Sequence, residues 1–179
     1  MNFMHHVLRT IWANLFGFFV NIKYIFQYLF SKDIRERYKQ NKELWDGISS
    51  MEELVEFIQQ VYVYKYDGPK GIFDHNNFKL EWFVNFGDCD DVANWVCKKI
   101  KQIYPNIKEC DVYGFADLKA LFWHYDVVYR MDDNDSYHLF NYGRLNVITE
   151  NPGNSMVKIY HKSYKLSNEK MKYWKCKWM

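Results

Sequence analysis

Cys89 is the residue whose type and position best suit nucleophilic chemistry. It follows Gly87, which can turn the chain sharply, and Asp88, a good helix N-cap. The apolar spacing after it predicts a helix from Cys89 to about Ile103. A thiol at a helix N-terminus meets exposed backbone N–H groups and the positive end of the helix dipole, which favour the thiolate. The same N–H groups can donate to the oxyanion of acyl transfer. Cys89 is therefore the predicted nucleophile.

Negative charge around Cys89 argues in the opposite direction. Asp88, Asp90 and Asp91 flank the thiol, and nearby carboxylates disfavour a further negative charge. A thiolate here therefore needs a cationic partner, for which histidine is the usual residue. From these residues alone, a buried and unreactive cysteine in the first turn of a helix is an equal alternative.

A β-hairpin is predicted in the second half of the chain. Residues 120–130 and 137–148 are rich in β-branched and aromatic residues, and a polar stretch separates them. The turn is predicted to centre near Asp132 and Asp133. Residues symmetric about that centre lie opposite one another and share a face of the sheet.

His124 and Asn141 are symmetric about this turn, so they are predicted to be direct or diagonal neighbours on one face. The carboxamide oxygen can accept the ring N–H and fix the tautomer, which leaves the other ring nitrogen to act as a base toward a thiol. Asp126 shares the predicted face and is the alternative orienting residue. His138 is predicted to point to the opposite face.

Other assignments stay open at this point. An ordinary strand histidine is the alternative interpretation of His124, and His75, in the long loop before Cys89, is the main rival base. Trp82 carries an indole N–H shortly upstream of Cys89 and is the candidate second donor to an oxyanion. The alternative for Trp82 is the role of a core aromatic residue.

The acidic residues of the predicted turn do not form a calcium motif. Counting from Asp133, the sixth and twelfth positions are His138 and Arg144, where an EF-hand loop needs Gly and Glu. The four cysteines include no CxxC pair, so a zinc site lacks support. Neither a metal nor a cofactor is predicted.

Three stretches resemble the transglutaminase-like superfamily, especially its bacterial and phage cysteine-peptidase branch. GDCDDVA at 87–93 is similar to the nucleophile motif. HYDVVYR at 124–130 and YHLFNYG at 137–143 are similar to the histidine strand and the third-residue strand. Residues 64–91 also resemble the approach to the cysteine in that branch. The resemblance covers about residues 50–145.

The resemblance implies a papain-like α+β core, with a nucleophile helix packed on an antiparallel sheet that carries the histidine and the third residue. It implies thiol attack on an amide, followed by hydrolysis or by transfer to an amine. Cys89 and His124 match the nucleophile and the base. Asn141 stands where many members have Asp, and papain-like enzymes use Asn in this role.

The organisation of the chain agrees with this class. Residues 1–47 are predicted to form an extra N-terminal aromatic helix and a charged connector, and residues 48–179 the transglutaminase-like domain. A capping box at Ser50 and Glu53 begins an amphipathic helix over residues 51–61. Helices come first and antiparallel strands follow, which is the α+β pattern.

Residues 7–30 form a predicted helix with a wide apolar and aromatic stripe, followed by Lys32, Arg35 and Arg37. The sequence leaves open whether this helix packs on its own domain, on a partner chain or on a membrane.

The net charge of +2 comes without a basic stripe, so nucleic acid is not a predicted partner. The irregular cysteine spacing predicts reduced thiols and a cytoplasmic protein, with membrane association through residues 7–30 as an open alternative. The frequent Lys, Asn, Ile and Tyr are typical of low-GC bacteria and their phages.

These features predict a cysteine-nucleophile hydrolase or acyltransferase acting on an amide bond through Cys89, His124 and Asn141. The substrate is a protein, a peptide or another amide-containing molecule, and the activity is that of a peptidase, a deamidase or a transglutaminase. The alternative is a catalytically inactive member that kept the fold as an interaction protein, phage-encoded or membrane-associated.

Overall fold

The chain has an α+β fold, as predicted. A computed structural model describes residues 3–65, 79–117, 122–132, 136–148 and 171–176. Within these ranges the helices are α1 (Phe3–Phe30), α2 (Lys32–Gly47), α3 (Met51–Gln60), α4 (Lys79–Asn85) and α5 (Cys89–Ile103). The strands are β1 (Glu109–Asp117), β2 (Phe122–Arg130), β3 (Tyr137–Asn141), β4 (Arg144–Ile148) and β5 (Met171–Lys175).

Contacts group the chain into two compact units. The first comprises Met1–Ile48 and Gln60–Asp91, and the second comprises Ser49–Gln59 and Val92–Met179. Cys89 therefore belongs to the first unit, and the sheet belongs to the second. The predicted division into residues 1–47 and 48–179 stays a prediction.

Aromatic side chains form the core of the first unit, where α1, α2 and α4 pack on one another. The rings of Trp45 and Trp82 meet edge to face with centroids 5.7 Å apart, and Phe86 meets Trp82 at 5.4 Å. Such edge-to-face pairs stabilise a core beyond the burial of their area. Asn41 joins α2 to α4 by donating from Nδ2 to the carbonyl oxygen of Phe83 at 2.7 Å.

Among the described residues, no helix combines the length and the apolar character that crossing a membrane requires.

The second unit contains a five-stranded antiparallel sheet in the order β4-β3-β2-β1-β5. On one face, four buried residues from four neighbouring strands form an apolar cluster. They are Phe115, Val128, Leu139 and Ile148. Opposite residues of antiparallel strands share a face, and here they place large apolar groups side by side. This cluster fixes the register of the strands, because a slip by one residue would move each of these side chains to the other face.

The predicted hairpin forms with a different register and with an additional turn. Val127 lies opposite Phe140, which moves the centre of the hairpin one residue beyond the predicted one. Residues 137–148 are two strands rather than one, because Tyr142 and Gly143 turn the chain with φ of 44° and 74°. Two positive φ values in a two-residue loop are the signature of a type I′ hairpin turn, which glycine favours.

Other sequence predictions have mixed outcomes. The helices predicted over residues 7–30, 51–61 and 89–103 are confirmed. The strands β1 and β5 and the short helix α4 were not among the specific predictions. Most of the long loop predicted before Cys89 lies outside the described residues.

The close approach of two aromatic rings to Gly114 yields the first prediction. A Cβ at this position of β1 would lie 2.6 Å from Cε2 of Trp174 and 2.8 Å from Cε1 of Tyr125. We expect Gly114→Ala to lower the free energy of unfolding by about 1–3 kcal/mol, as overpacking does. Urea denaturation followed by circular dichroism measures the change.

Gly47→Ala is the matched control, because a Cβ there meets nothing within 4 Å. We expect this variant to unfold at the wild-type urea concentration or slightly above it. Equal midpoints for Gly114→Ala and the wild type would contradict the observed packing of Trp174 and Tyr125 on β1.

Candidate active site

The nucleophile predicted from sequence is the first residue of α5. Cys89 is half-buried, while Cys97, Cys110 and Cys176 are buried, and all four lie in the described part of the chain. Its backbone and those of the next residues present the N–H groups of a helix start. The thiol is therefore the most accessible of the four and stands where a developing negative charge is favoured.

The segment before Cys89 is held by specific backbone contacts. Phe86 adopts a left-handed conformation with φ of 58°, which is unusual for a bulky residue. Its N–H donates to the carbonyl oxygen of Trp82 at 2.9 Å and ends α4. The turn predicted at Gly87 therefore falls one residue earlier, at Phe86. The Gly87 carbonyl accepts from the Lys65 N–H at 2.9 Å and from the hydroxyl of Tyr62.

Tyr62 is a residue of this site that the sequence analysis missed. Its ring packs on Trp82 and Phe86, with centroids 5.8 Å and 5.5 Å away, and its hydroxyl also lies 3.5 Å from the Asp88 carbonyl oxygen. Burial raises the pKa of the Tyr62 phenol far above its ordinary value, and the nearby negative groups act in the same direction. Tyr62 therefore stays a hydrogen-bond donor to the backbone leading into Cys89.

The acidic residues beside Cys89 differ in exposure. Asp90 and Asp91 are buried in the first turn of α5, whereas Asp88 is half-buried. Carboxylates in a first helical turn interact favourably with the helix dipole, so part of their charge is offset by the helix itself. One ligand atom from each of Asp88, Cys89 and Asp90 lies within 4.8 Å of the others. This cluster offers two carboxylate oxygens and one sulfur, whereas calcium takes six to eight oxygens.

His124 lies in the second unit, on β2, and is buried. Its Nε2 is 3.2 Å from Oδ1 of Asp126, and the two side chains are 7% and 1% exposed. They point to the same side of the strand because they are two residues apart. Phe115, opposite His124 on β1, and Tyr142 contact the imidazole with ring centroids 5.5 Å and 5.1 Å away.

Asn141 is the last residue of β3. The pairing of β2 with β3 ends with Val127 opposite Phe140. The same register continued by one residue sets Asp126 across from Asn141 on the face of His124. Asn141 is therefore diagonal to His124. His138 lies opposite Tyr129 on the other face and stacks on its ring at 5.0 Å, as the alternation predicts.

Two further residues named from the sequence have different settings. Trp82 is fully buried in the aromatic core of the first unit, next to Trp45, Tyr62 and Phe86. This environment suits a core aromatic, and the oxyanion role stays a prediction. His75 lies outside the described residues.

The contacts of Tyr142 with His124 were not anticipated. The signal was present, because Tyr142-Gly143 separates two strand-like runs, and a two-residue loop ending in glycine marks a hairpin turn. Residues 137–148 were predicted to form one strand, and a single strand leaves no place for this turn.

A cleft of about 650 Å³ lies in the second unit, away from His124. It includes Glu109 and Arg130, which pair at the far end of β1 and β2, whereas His124 pairs with Phe115 near the other end. His124 and Arg130 are six positions apart along β2, which corresponds to a distance of roughly 20 Å. The cleft is therefore no part of the histidine environment.

The buried cysteines have distinct acid–base properties. The Sγ atoms of Cys97 and Cys110 are 3.3 Å apart. This thiol hydrogen bond lowers the pKa of Cys97 and, together with burial, raises that of Cys110. Burial raises the pKa of the Cys176 thiol to about 11.

Comparisons with known proteins support the fold. No protein-family model matches the chain, and no curated protein is significantly similar to it. The structure is similar to that of Legionella pneumophila LapG, a transglutaminase-like cysteine protease, with a TM-score of 0.50 and 17% identity over 72% of this chain and 76% of that chain. The EGTA-treated form of LapG gives a TM-score of 0.51 and 17% identity over 74% of this chain and 76% of that chain. The chain therefore has the transglutaminase-like fold, and the cysteine-peptidase branch named from the sequence stays a prediction.

The exposure of the cysteines yields a prediction about their order of alkylation. In the folded protein at about pH 8, we expect iodoacetamide to label Cys89 before the other three, because Cys89 is the accessible thiol. Cys110 and Cys176 should be slowest to gain reactivity with pH, because the pKa of both thiols is raised, that of Cys176 to about 11, and both are almost fully protonated at this pH. Peptide mass spectrometry over time measures each rate.

Denatured protein is the control, since all four thiols should then react at similar rates. Labelling of Cys97 or Cys110 ahead of Cys89 in the folded chain would contradict the burial described above.

The hydroxyl of Tyr62 yields a third prediction. Tyr62→Phe keeps the ring in the aromatic core but leaves the Gly87 carbonyl with one donor fewer. We expect the free energy of unfolding to fall by about 1 kcal/mol. Tyr173→Phe, at an exposed tyrosine of β5, is the control and should stay within about 0.5 kcal/mol of the wild type. Urea denaturation measures both variants. Equal unfolding midpoints for Tyr62→Phe and Tyr173→Phe would rule out the stabilising role of the Tyr62 hydroxyl.

Proposed function

We propose that this chain is a cysteine peptidase or a related amide-bond enzyme, with Cys89 as the nucleophile and His124 as the base. The observation that carries the proposal is the carboxylate of Asp126, 3.2 Å from Nε2 of the buried His124 in a transglutaminase-like fold. A buried imidazole with a carboxylate close to one ring nitrogen is an arrangement that assists acyl transfer to a thiol.

The surroundings of Cys89 support its role as nucleophile. It starts α5, it is the most accessible of the four thiols, and the chain before it is held by Tyr62. In the proposed reaction the imidazole takes the thiol proton and Sγ attacks the carbonyl carbon of the amide. The backbone N–H groups at the start of α5 donate to the resulting oxyanion.

Collapse of the tetrahedral intermediate expels the amine, which takes the proton from the imidazolium, and leaves a thioester on Cys89. Water attacking the thioester completes hydrolysis and releases a carboxylate. An amine attacking in place of water completes transfer. The same two protein groups serve both outcomes, so the acceptor decides whether the activity is that of a hydrolase or a transferase.

Asp126 lies close to Nε2 of His124, and this choice of nitrogen supports the role of His124 as the base. In a neutral imidazole one nitrogen carries the proton and the other the lone pair. A carboxylate beside Nε2 favours the proton there, which leaves the lone pair on Nδ1 to accept a proton from the thiol. Asn141, across from Asp126 by the strand register, is proposed to support this arrangement as a second polar neighbour.

The proposed substrate is a peptide bond in a protein or peptide. The similar structures are cysteine proteases of this fold, which favours peptidase activity over deamidation or transglutamination. Chemistry by this pair needs no metal or cofactor, since both proton transfer and nucleophilic attack come from side chains.

Alkylation of Cys89 as a function of pH tests the coupling of the two groups. We expect the wild type to react rapidly with iodoacetamide near neutral pH and His124→Ala to react at least about tenfold more slowly there. His138→Ala, which removes the histidine on the other face of the sheet, is the matched control and should keep the wild-type profile. Identical profiles for the wild type and His124→Ala would overturn the assignment.

Peptide cleavage tests the activity itself. Incubation with a proteome-derived peptide library, read by mass spectrometry, should reveal new termini with the wild type and none with Cys89→Ala or His124→Ala. Both variants should unfold near the wild-type urea midpoint, which separates loss of chemistry from loss of fold. A library left intact by a wild type whose Cys89 alkylates slowly would favour the inactive alternative.

The orienting residue can be identified separately. We expect Asp126→Asn to reduce the neutral-pH alkylation rate of Cys89 about tenfold or more, because the group at Nε2 loses its charge. Asn141→Ala should have a smaller effect, since it lies diagonal to His124. The reverse order would assign the orienting role to Asn141.

A further inference from the structure

The first helix carries an exposed apolar surface on the first unit. Seven large hydrophobic residues of its described side chains are exposed, and Phe30 is 81% exposed. We call them the apolar face of α1: Leu15, Phe18, Phe19, Ile25, Phe26, Leu29 and Phe30. Exposed apolar patches of this kind on a protein mark an interaction site.

These seven residues form one continuous stripe. At about 100° per residue, they span an arc of about 140° between Ile25 and Phe30. Tyr24 lies nearly opposite the middle of that arc and is buried, with its hydroxyl hydrogen-bonded to Asn85 of α4. One side of α1 is therefore committed to its own unit, and the other side is apolar and open.

The charges on α1 have a single sign. Phe3–Phe30 contains Arg9 and Lys23 and no Asp or Glu, in a chain that otherwise has nearly equal numbers of acidic and basic residues. Lys23 is exposed and borders the stripe next to Phe19 and Phe30.

A further cation stands at the C-terminal end of the stripe. Arg35 donates from Nη1 to the carbonyl oxygens of Tyr28 at 3.1 Å and Leu29 at 2.8 Å. The guanidinium thereby caps the last carbonyl groups of α1, where the helix dipole favours a cation.

We propose that the apolar face of α1 docks on an anionic lipid membrane, with α1 lying in the plane of the interface. The phenylalanine rings enter the boundary between headgroups and acyl chains, as in other interfacial amphipathic helices. The ammonium group of Lys23, which lies beside the stripe and 5.8 Å from the centre of the Tyr24 ring, meets lipid phosphate at the interface.

The charge of α1 favours lipid over a second copy of the chain. Two copies packed through this face would bring basic residues together without acidic residues of α1 to neutralise them. Among the side chains that the structure describes on α1, this face also has no polar group that would fix the register of a partner helix, as specific interfaces do. An anionic bilayer accepts the apolar groups in any register and neutralises the cations.

Vesicle flotation of the full chain tests this proposal. We expect the protein to float with phosphatidylcholine vesicles that contain phosphatidylglycerol and to float less with phosphatidylcholine alone. Phe26→Ser with Leu29→Ser should lower the partition coefficient about tenfold or more, because two buried apolar side chains return to water. Lys23→Gln should lower it about fivefold on the anionic vesicles only.

Leu44→Ser is the matched control, since Leu44 is an exposed apolar residue of α2 outside the stripe. It should float as the wild type does, and circular dichroism should show all variants folded. A wild type that stays with the soluble fraction would overturn the proposal. Concentration-dependent dimerisation in sedimentation velocity, lost in the Phe26 and Leu29 double variant, would overturn it in favour of a second copy.

Discussion

The alternation of side chains along β2 is the constraint on which the histidine environment depends. His124 and Asp126 are two residues apart, so the pleat of the strand alone places a ring nitrogen beside a carboxylate. Both groups are buried, where a charge without a partner is costly and a paired one is tolerated. The apolar partners Phe115 and Leu139 on the same face hold the register, because a slip would expose them. The same packing that stabilises the sheet therefore orients the imidazole.

A different interaction governs the cysteine. The start of α5 is approached through Phe86 in a left-handed conformation, which bulky residues adopt only when their surroundings hold them there. Trp82 and Tyr62 pack on the Phe86 ring, and the Tyr62 hydroxyl binds the next carbonyl group. Backbone strain of this kind is common at functional sites. Here the aromatic core of the first unit supplies the contacts that offset it.

The aromatic residues of the chain thus have two uses. Those of α2, α4 and Tyr62 pack against one another and build a core. Those on the open side of α1 are exposed and make no such core. A high aromatic content is compatible with both uses. The burial of each side chain in the structure distinguishes an aromatic residue of the core from one that is available to a membrane.

The sequence alone determined the features that depend on local pattern. The helix beginning at Cys89 follows from a single run of 3.6-residue periodicity, and the shared face of His124 and Asp126 follows from the period of two in a strand. The resemblance to the transglutaminase-like superfamily likewise rested on short motifs, and the fold agrees with it.

The tertiary structure decided everything that depends on contacts between distant residues. The turn centre lies one residue beyond the predicted one, so each residue of β2 faces a residue of β3 two positions from the predicted partner. Packing of Val128 on Leu139 sets this register, rather than the centre of the polar stretch. The turn at Tyr142 and Gly143 brought a ring onto His124, and Tyr62, 25 residues before Gly87 in the chain, became its hydrogen-bond donor. Local propensity carries no information about such partners, since they are selected by burial and by the satisfaction of backbone groups in the folded chain.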